Sequence, residues 1–154
     1  MEKALVTDNE QPVFDSEEIQ VVAFKLGEEE YAVEIVYVQD INRLLNITRI
    51  PRSERHIEGV INLRGNIIPI FNLHTRFNLQ ASGNEEDKRI IVFQYDELKV
   101  GILVDEVSEV LKIKKDEVEA TSKVYGSIEV EHIKGIAKFE GRLLILLDLF
   151  KIFE

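Results

Sequence analysis

Apolar residues in this chain fall in short, β-branched runs separated by glycine, proline and acidic turn formers. Ile19 to Leu26 is rich in strand formers and partly alternating, Gly27 to Glu30 reads as a turn, and Tyr31 to Ile35 as a returning strand. Val36 to Leu45 supports two readings. Ile35, Val38 and Ile41 recur every three residues, as in a short helical turn, yet β-branched residues abound there. Ile47 to Ile50 predicts a strand, and Ser53 to His56 could form one helical turn. Gly59 to Phe71 is the clearest hairpin, with Gly65 supplying the positive φ of a tight turn. Pro69 cannot donate to a ladder and points to an edge or a bulge.

The second half repeats this plan. Arg89 to Tyr95 and Leu98 to Val104 predict a hairpin, Val110 to Ile113 a strand, and Lys115 to Ser122 a helix. Ile136 to Phe139 and Leu143 to Leu147 predict another hairpin, and Asp148 to Glu154 a closing helical turn. The two halves also match residue by residue. Laying His56–Phe77 on His132–Phe153 without a gap pairs Gly59 with Gly135, Gly65 with Gly141 and Leu73 with Leu149. At a slightly shorter offset Phe24 falls on Phe93, Val33 on Ile102, Val38 on Val107 and Asp40 on Glu109. Two copies of one unit imply two similar lobes with a cleft between them, a natural binding site. The expected division is an acidic disordered tail over 1–18, a first lobe over 19–79, a polar linker over 80–88 and a second lobe over 89–154. The last helical turn is expected to pack back on the first lobe. Lobes of about 60 residues are marginal alone, so they should share an interface. Many short strands with turns between them mean small barrels or a sandwich.

Composition narrows the function. The 154 residues carry a net charge of −10, which argues against nucleic acid and anionic membrane surfaces as partners. There is no cysteine, hence no disulfide or thiolate chemistry, which fits a reducing cytoplasm. No apolar run reaches the roughly 20 residues that span a bilayer, and residues 1–16 lack the features of a secretory signal.

No catalytic constellation emerges. His56, His74 and His132 lack metal-ligand spacing, and His56 and His132 share one repeat position, which suggests capping or packing. Asp105-Glu106, Asp116-Glu117 and Glu85-Glu86-Asp87 are expected in solvated turns, and none has the alternation of a calcium loop. The copies do differ at their hairpin tips: Arg64-Gly65 in one, Glu140-Gly141 in the other. Arg64 is either a solvated turn residue or a fork placed to grip a carboxylate.

The segment Gly59-Val60-Ile61-Asn62-Leu63-Arg64-Gly65-Asn66-Ile67-Ile68-Pro69-Ile70 resembles the signature of the CheW family, the chemotaxis coupling proteins. Val38-Gln39-Asp40-Ile41, Thr48-Arg49-Ile50-Pro51, Val100 to Asp105 and Leu143 to Asp148 resemble further blocks in the family's order. The resemblance implies a mainly β fold of two five-stranded SH3-like barrels with short helical segments. It implies no catalysis, cofactor or metal. It implies a scaffold, recruited in the cytoplasm to receptor arrays, that joins the tips of transmembrane chemoreceptors to the histidine kinase CheA without entering the membrane. The alternative is a CheW-like regulatory domain of a kinase, or a CheV-type coupler, separated from its partner modules. With 154 residues a stand-alone coupler is expected. By the same resemblance, Val38, Asp40, Gly59, Leu63, Arg64, Gly101 and Val107 are receptor-binding candidates, with Val38, Leu63 and Val107 lining the groove. Ile41 and Tyr125 are kinase-binding candidates.

Overall fold

A computed structural model describes residues 17–51, 56–120 and 130–153. Its strands are β1 (Glu18–Leu26), β2 (Glu29–Glu34), β3 (Val38–Arg43), β4 (Ile57–Leu63) and β5 (Asn66–Phe71). After helix α1 (Leu73–Phe77) come β6 (Arg89–Tyr95), β7 (Leu98–Val104), β8 (Glu106–Lys114), β9 (Val118–Glu119), β10 (Ile133–Phe139) and β11 (Arg142–Leu147), then helix α2 (Leu149–Ile152).

They form two sheets, in the orders β8-β1-β2-β11-β10-β9 and β3-β6-β7-β5-β4. Each closes on itself. Beyond β3, Thr48 bridges Val60 of β4. In the other sheet β8 passes through one 3₁₀ turn, Lys115–Glu117, into β9, which pairs with β10. Closure removes open edges.

The sheets do not follow the two sequence copies, which corrects the expected lobes at 19–79 and 89–154. Hairpin β1–β2, from the first copy, joins the sheet of the second by an antiparallel β1–β8 and a parallel β2–β11 pairing. Hairpin β6–β7 joins β3 and β5 in the same two ways. The copies have exchanged their first hairpins. A hairpin and its sequence twin present the same pairing pattern, so strand content alone does not choose between them. The connections choose: β2 leads through the 3₁₀ turn Ile35–Tyr37 into Val38 with extended backbone, which carries the chain onward to the other sheet instead of back.

This arrangement gives three apolar layers. Ile61, Ile68, Ile70, Ile90 and Val92 fill the first barrel. Val21, Ala23, Ala32, Leu111, Leu144 and Leu146 fill the second. Between the barrels lies a larger cluster that includes Val22, Phe24, Tyr31, Ile91, Phe93, Ile102, Ile145 and Leu147. Successive residues of β1 and β6 therefore bury opposite faces in different layers, which accounts for apolar runs without polar alternation. The helices reach across: Phe153, just after α2, packs on Phe71 and Phe93, and Phe77 of α1 packs on His132. Asn72 and Asp148 cap the two helices by accepting from Thr75 N–H and Lys151 N–H.

Several local expectations change. Ile47 to Ile50 forms no strand, only the Thr48 bridge. The helix expected from Lys115 is a 3₁₀ turn followed by β9, and residues 121–129 lie outside the described residues. Pro69 lies on an interior strand, opposite Val60, whose own N–H and C=O bond Thr48 instead. The parallel pairing of β5 with β7 begins only at Ile70, so no ladder bond needs a Pro69 donor. Residues 1–16 of the expected tail and 52–55 of the expected helical turn are outside the described residues, and Glu18 already belongs to β1.

Candidate functional site

Strand β3 brings several of the candidate residues together. It pairs with β6 through a bulge at Gln39, so that Val38 faces Phe93, Asp40 faces Val92 and Ile41 faces Ile91. A bulge re-aims the side chains that follow it. Val38 and Ile41 consequently share the face of the inter-barrel layer, while Asp40 takes the face of the barrel interior. Val38 is half-buried against the inter-barrel cluster, and Ile41 is 40% exposed. β8 repeats the device: its register shift places Val107 on Phe24 and Glu109 on Ala23.

Asp40 meets Arg64. The guanidinium Nη2 donates to Asp40 Oδ2 from the tip of the β4–β5 hairpin, and 68% of the Arg64 side chain remains exposed. The turn has positive φ at both Arg64 (50°) and Gly65 (87°), as a two-residue hairpin turn of the mirrored kind requires. The sequence reading assigned this need to Gly65 alone. Asn62 Oδ1 accepts from Gly65 N–H and steadies the turn.

Other candidates separate. Leu63 is half-buried against the interior cluster of the first barrel, as are Leu45, Ile47 and Leu103, whereas Val38 and Val107 pack against the inter-barrel cluster. Gly59 is buried under the Thr48 bridge, where a Cβ would come within 2.3 Å of the Thr48 carbonyl oxygen. Gly135 needs its bareness for the same reason, under Val118 and Glu119. Gly101 is buried in mid-sheet against Ile70 and Ile90. Leu63, Gly59 and Gly101 thus each have a packing role within the first barrel. Tyr125 lies outside the described residues.

Sequence reading missed the polar centre. Asp105, expected in a solvated turn, is 2% exposed. Its carboxylate accepts from Gly27 N–H at 2.7 Å, from Ser82 N–H at 3.2 Å and from Lys88 Nζ at 3.3 Å. His74 Nε2 lies 3.0 Å from both oxygens. Burial would raise the Asp105 pKa, but the His74 hydrogen bond, the Gly27 N–H, attraction to the imidazole and the Ser82 N–H outweigh it and hold the carboxyl below its ordinary value. The one available signal was position: Asp105 follows directly on the buried run of β7.

A second ion cluster ties β11 to β2 and β8. Arg142 grips Glu30 through Nε and Nη2, at 3.1 and 2.7 Å, and reaches Glu109 at 2.8 Å. Hydrogen bonding to Arg142 holds Glu30 below its ordinary pKa. Among the described residues no group of three or more His, Asp or Glu is arranged to hold a metal ion. Nor is any helix long and apolar enough to cross a membrane.

The chain matches the family model described as CheW-like domain over residues 20–154. It is 34% identical to the chemotaxis protein CheW of Treponema pallidum, over 91% of this chain and 85% of that protein. It is 36% identical to the chemotaxis protein CheW of Thermotoga maritima, over 89% of each. The crystal structure of the scaffolding protein TtCheW from Thermoanaerobacter tengcongensis is similar to it with a TM-score of 0.82 and 36% identity, over 90% of this chain and 89% of that one.

Proposed function

This chain belongs to the CheW-like domain family, and from that premise we propose that it couples chemoreceptor tips to a histidine kinase through β3. The chain is a non-catalytic chemotaxis coupling scaffold. One observation carries the finer reading: a single bulged strand bears Val38 and Asp40, candidates for the receptor side, and the exposed Ile41, candidate for the kinase side. A partner that shifts β3 on one side shifts what the other side meets. On the receptor side Val38, Val107 and the exposed Arg64 form the contact. An amphipathic receptor helix buries its apolar stripe against the two valines, and Arg64 reads its charge. On the kinase side Ile41 is the apolar anchor, with Tyr125 as a second contact. Recruitment to receptor arrays follows from these two contacts and needs no membrane insertion.

The test is co-sedimentation of the purified chain with receptor-tip assemblies and a CheA-type kinase. Joint recovery of all three, with kinase activity placed under receptor control, is expected. Recovery of neither partner removes the reading. Kinase binding without receptor binding favours the alternative of a regulatory domain detached from a larger kinase.

A further inference from the structure

Among the described residues the chain passes from one sheet to the other twice, and the two crossings are built differently. The first is the 3₁₀ turn Ile35–Tyr37, where Val36 is 75% exposed and Tyr37 packs edge-on against Phe150. The second is Asp105 alone, between β7 and β8. The sequence match that places Phe24 on Phe93 also places Val36 on Asp105. One copy therefore has an exposed valine where the other has a buried carboxylate.

That carboxylate gathers donors from three segments around the junction. Gly27 belongs to the β1–β2 turn of the second barrel, His74 to α1, and Ser82 and Lys88 to the connection between α1 and β6. The backbone closes the same knot. Asp105 N–H donates to the Lys25 carbonyl at 3.0 Å, and Ser82 Oγ donates to the Gly27 carbonyl at 2.7 Å. A buried carboxylate without such partners is costly, so the site holds together only when all arms converge. Val107, two residues on, is the second-barrel valine of the receptor face.

We propose that Asp105 is a positioning residue: its clasp sets the angle between the two barrels, and so the placement of Val107 relative to Val38 and Arg64. This deepens the coupling reading and rests on it for its consequence in signalling. The apolar layer between the barrels supplies attraction without direction. The clasp supplies direction, because each donor must meet a fixed oxygen.

The test uses the full chain, whose lack of cysteine permits a clean pair of labels. Spin labels at Glu97→Cys and Glu140→Cys, exposed sites on turns of different sheets, report the distance between barrels. Unsubstituted Asp105 is expected to give one narrow distribution. Asp105→Asn keeps the shape but turns an amide toward donors, and should at least double the width. Asp105→Glu, which restores the charge, should recover part of the narrowing. In a reconstituted assembly Asp105→Asn should lose receptor control several-fold while kinase affinity stays within about twofold. An unchanged distance distribution in a folded Asp105→Asn variant overturns the proposal, whatever happens to its melting temperature. If that variant does not fold, Lys88→Met with Ser82→Ala removes the Nζ contact to Asp105 and the Oγ bond to the Gly27 carbonyl, and leaves the Ser82 N–H and the carboxylate in place; absence of any broadening there overturns it equally. The distance is read without receptor or kinase, so its failure is separate from a failure of the coupling reading.

Discussion

Arg64 on the β4–β5 turn is paired with Asp40 on β3, and the second barrel makes the same link from a different hairpin position, with Arg142 on Glu109. Asp40 and Glu109 are repeat equivalents, but Arg64 aligns with Glu140 and Arg142 with Asn66. Each barrel therefore ties its bulged strand to its hairpin tip with one ion pair. The second pair is the firmer, because Arg142 also holds Glu30 by two nitrogens. In the first barrel Arg64 uses Nη2 alone and stays largely exposed, which leaves it able to exchange Asp40 for a partner's carboxylate.

Arg64 should accordingly matter for signalling and little for folding. An exposed pair of this kind contributes about 1 kcal/mol or less. Arg64→Ala should change stability by less than about 0.5 kcal/mol. Arg64→Gly, which removes the cost of positive φ at a side-chain-bearing residue, should hold or raise the melting temperature. Both should weaken receptor control in a reconstituted kinase assay, and Arg64→Lys should restore only part of it, for want of the planar fork. Full control in the alanine variant would return Arg64 to an ordinary turn residue.

Gly59→Ala tests whether that glycine is structural. The added Cβ lies 2.3 Å from a backbone oxygen, which cannot rotate away. Overpacking of this sort costs roughly 1–3 kcal/mol and sometimes more. Gly101→Ala should cost less, since the closest atom there, at 2.6 Å, is the flexible Cδ1 of Ile70. Chemical denaturation of the two variants side by side gives the order.

Ile41→Lys should leave the fold intact, because a side chain already 40% exposed lets the ammonium reach water. Loss of an apolar anchor at an interface centre is worth about 2 kcal/mol, or roughly 30-fold in kinase affinity. Thermal melts beside a kinase titration check both halves. An unchanged affinity would take Ile41 out of the contact.

Asp105 and Glu30 both have pKa values held below the ordinary carboxylate range in the folded chain. The unfolded chain then binds more protons in acid, so the stability they supply is present above the unfolded value of about 4 and lost as pH falls through the folded value. The melting temperature should decline below about pH 5. For Asp105 the groups facing it are His74 and Lys88. Asp105→Asn should lower the melting temperature near neutrality yet flatten the acid decline, read by melts across the pH range. An acid decline as steep as that of the parent would show that Asp105 does not contribute to it.

The sequence by itself determined most of the strands, the duplication and the family. Strand content is largely local: the β-branched runs around Phe24, Phe93 and Ile68 favour strand, and the Gly65 and Gly141 turns join neighbours only a few residues apart. The paired glycines at 59 and 135 were legible as a repeat, although their reason, a neighbouring segment of chain lying directly over each backbone, was not. Tertiary structure alone decided which hairpin joins which sheet, because repeat twins offer the same pairing edges and only the path of two crossings selects between them. It also decided the face of each side chain on β3 and β8, since one bulge reverses the alternation that sequence counting assumes. Asp105 shows the limit most plainly. A carboxylate beside a turn reads as solvated, and it is buried here because donors from residues 27, 74, 82 and 88, scattered along the chain, converge on it.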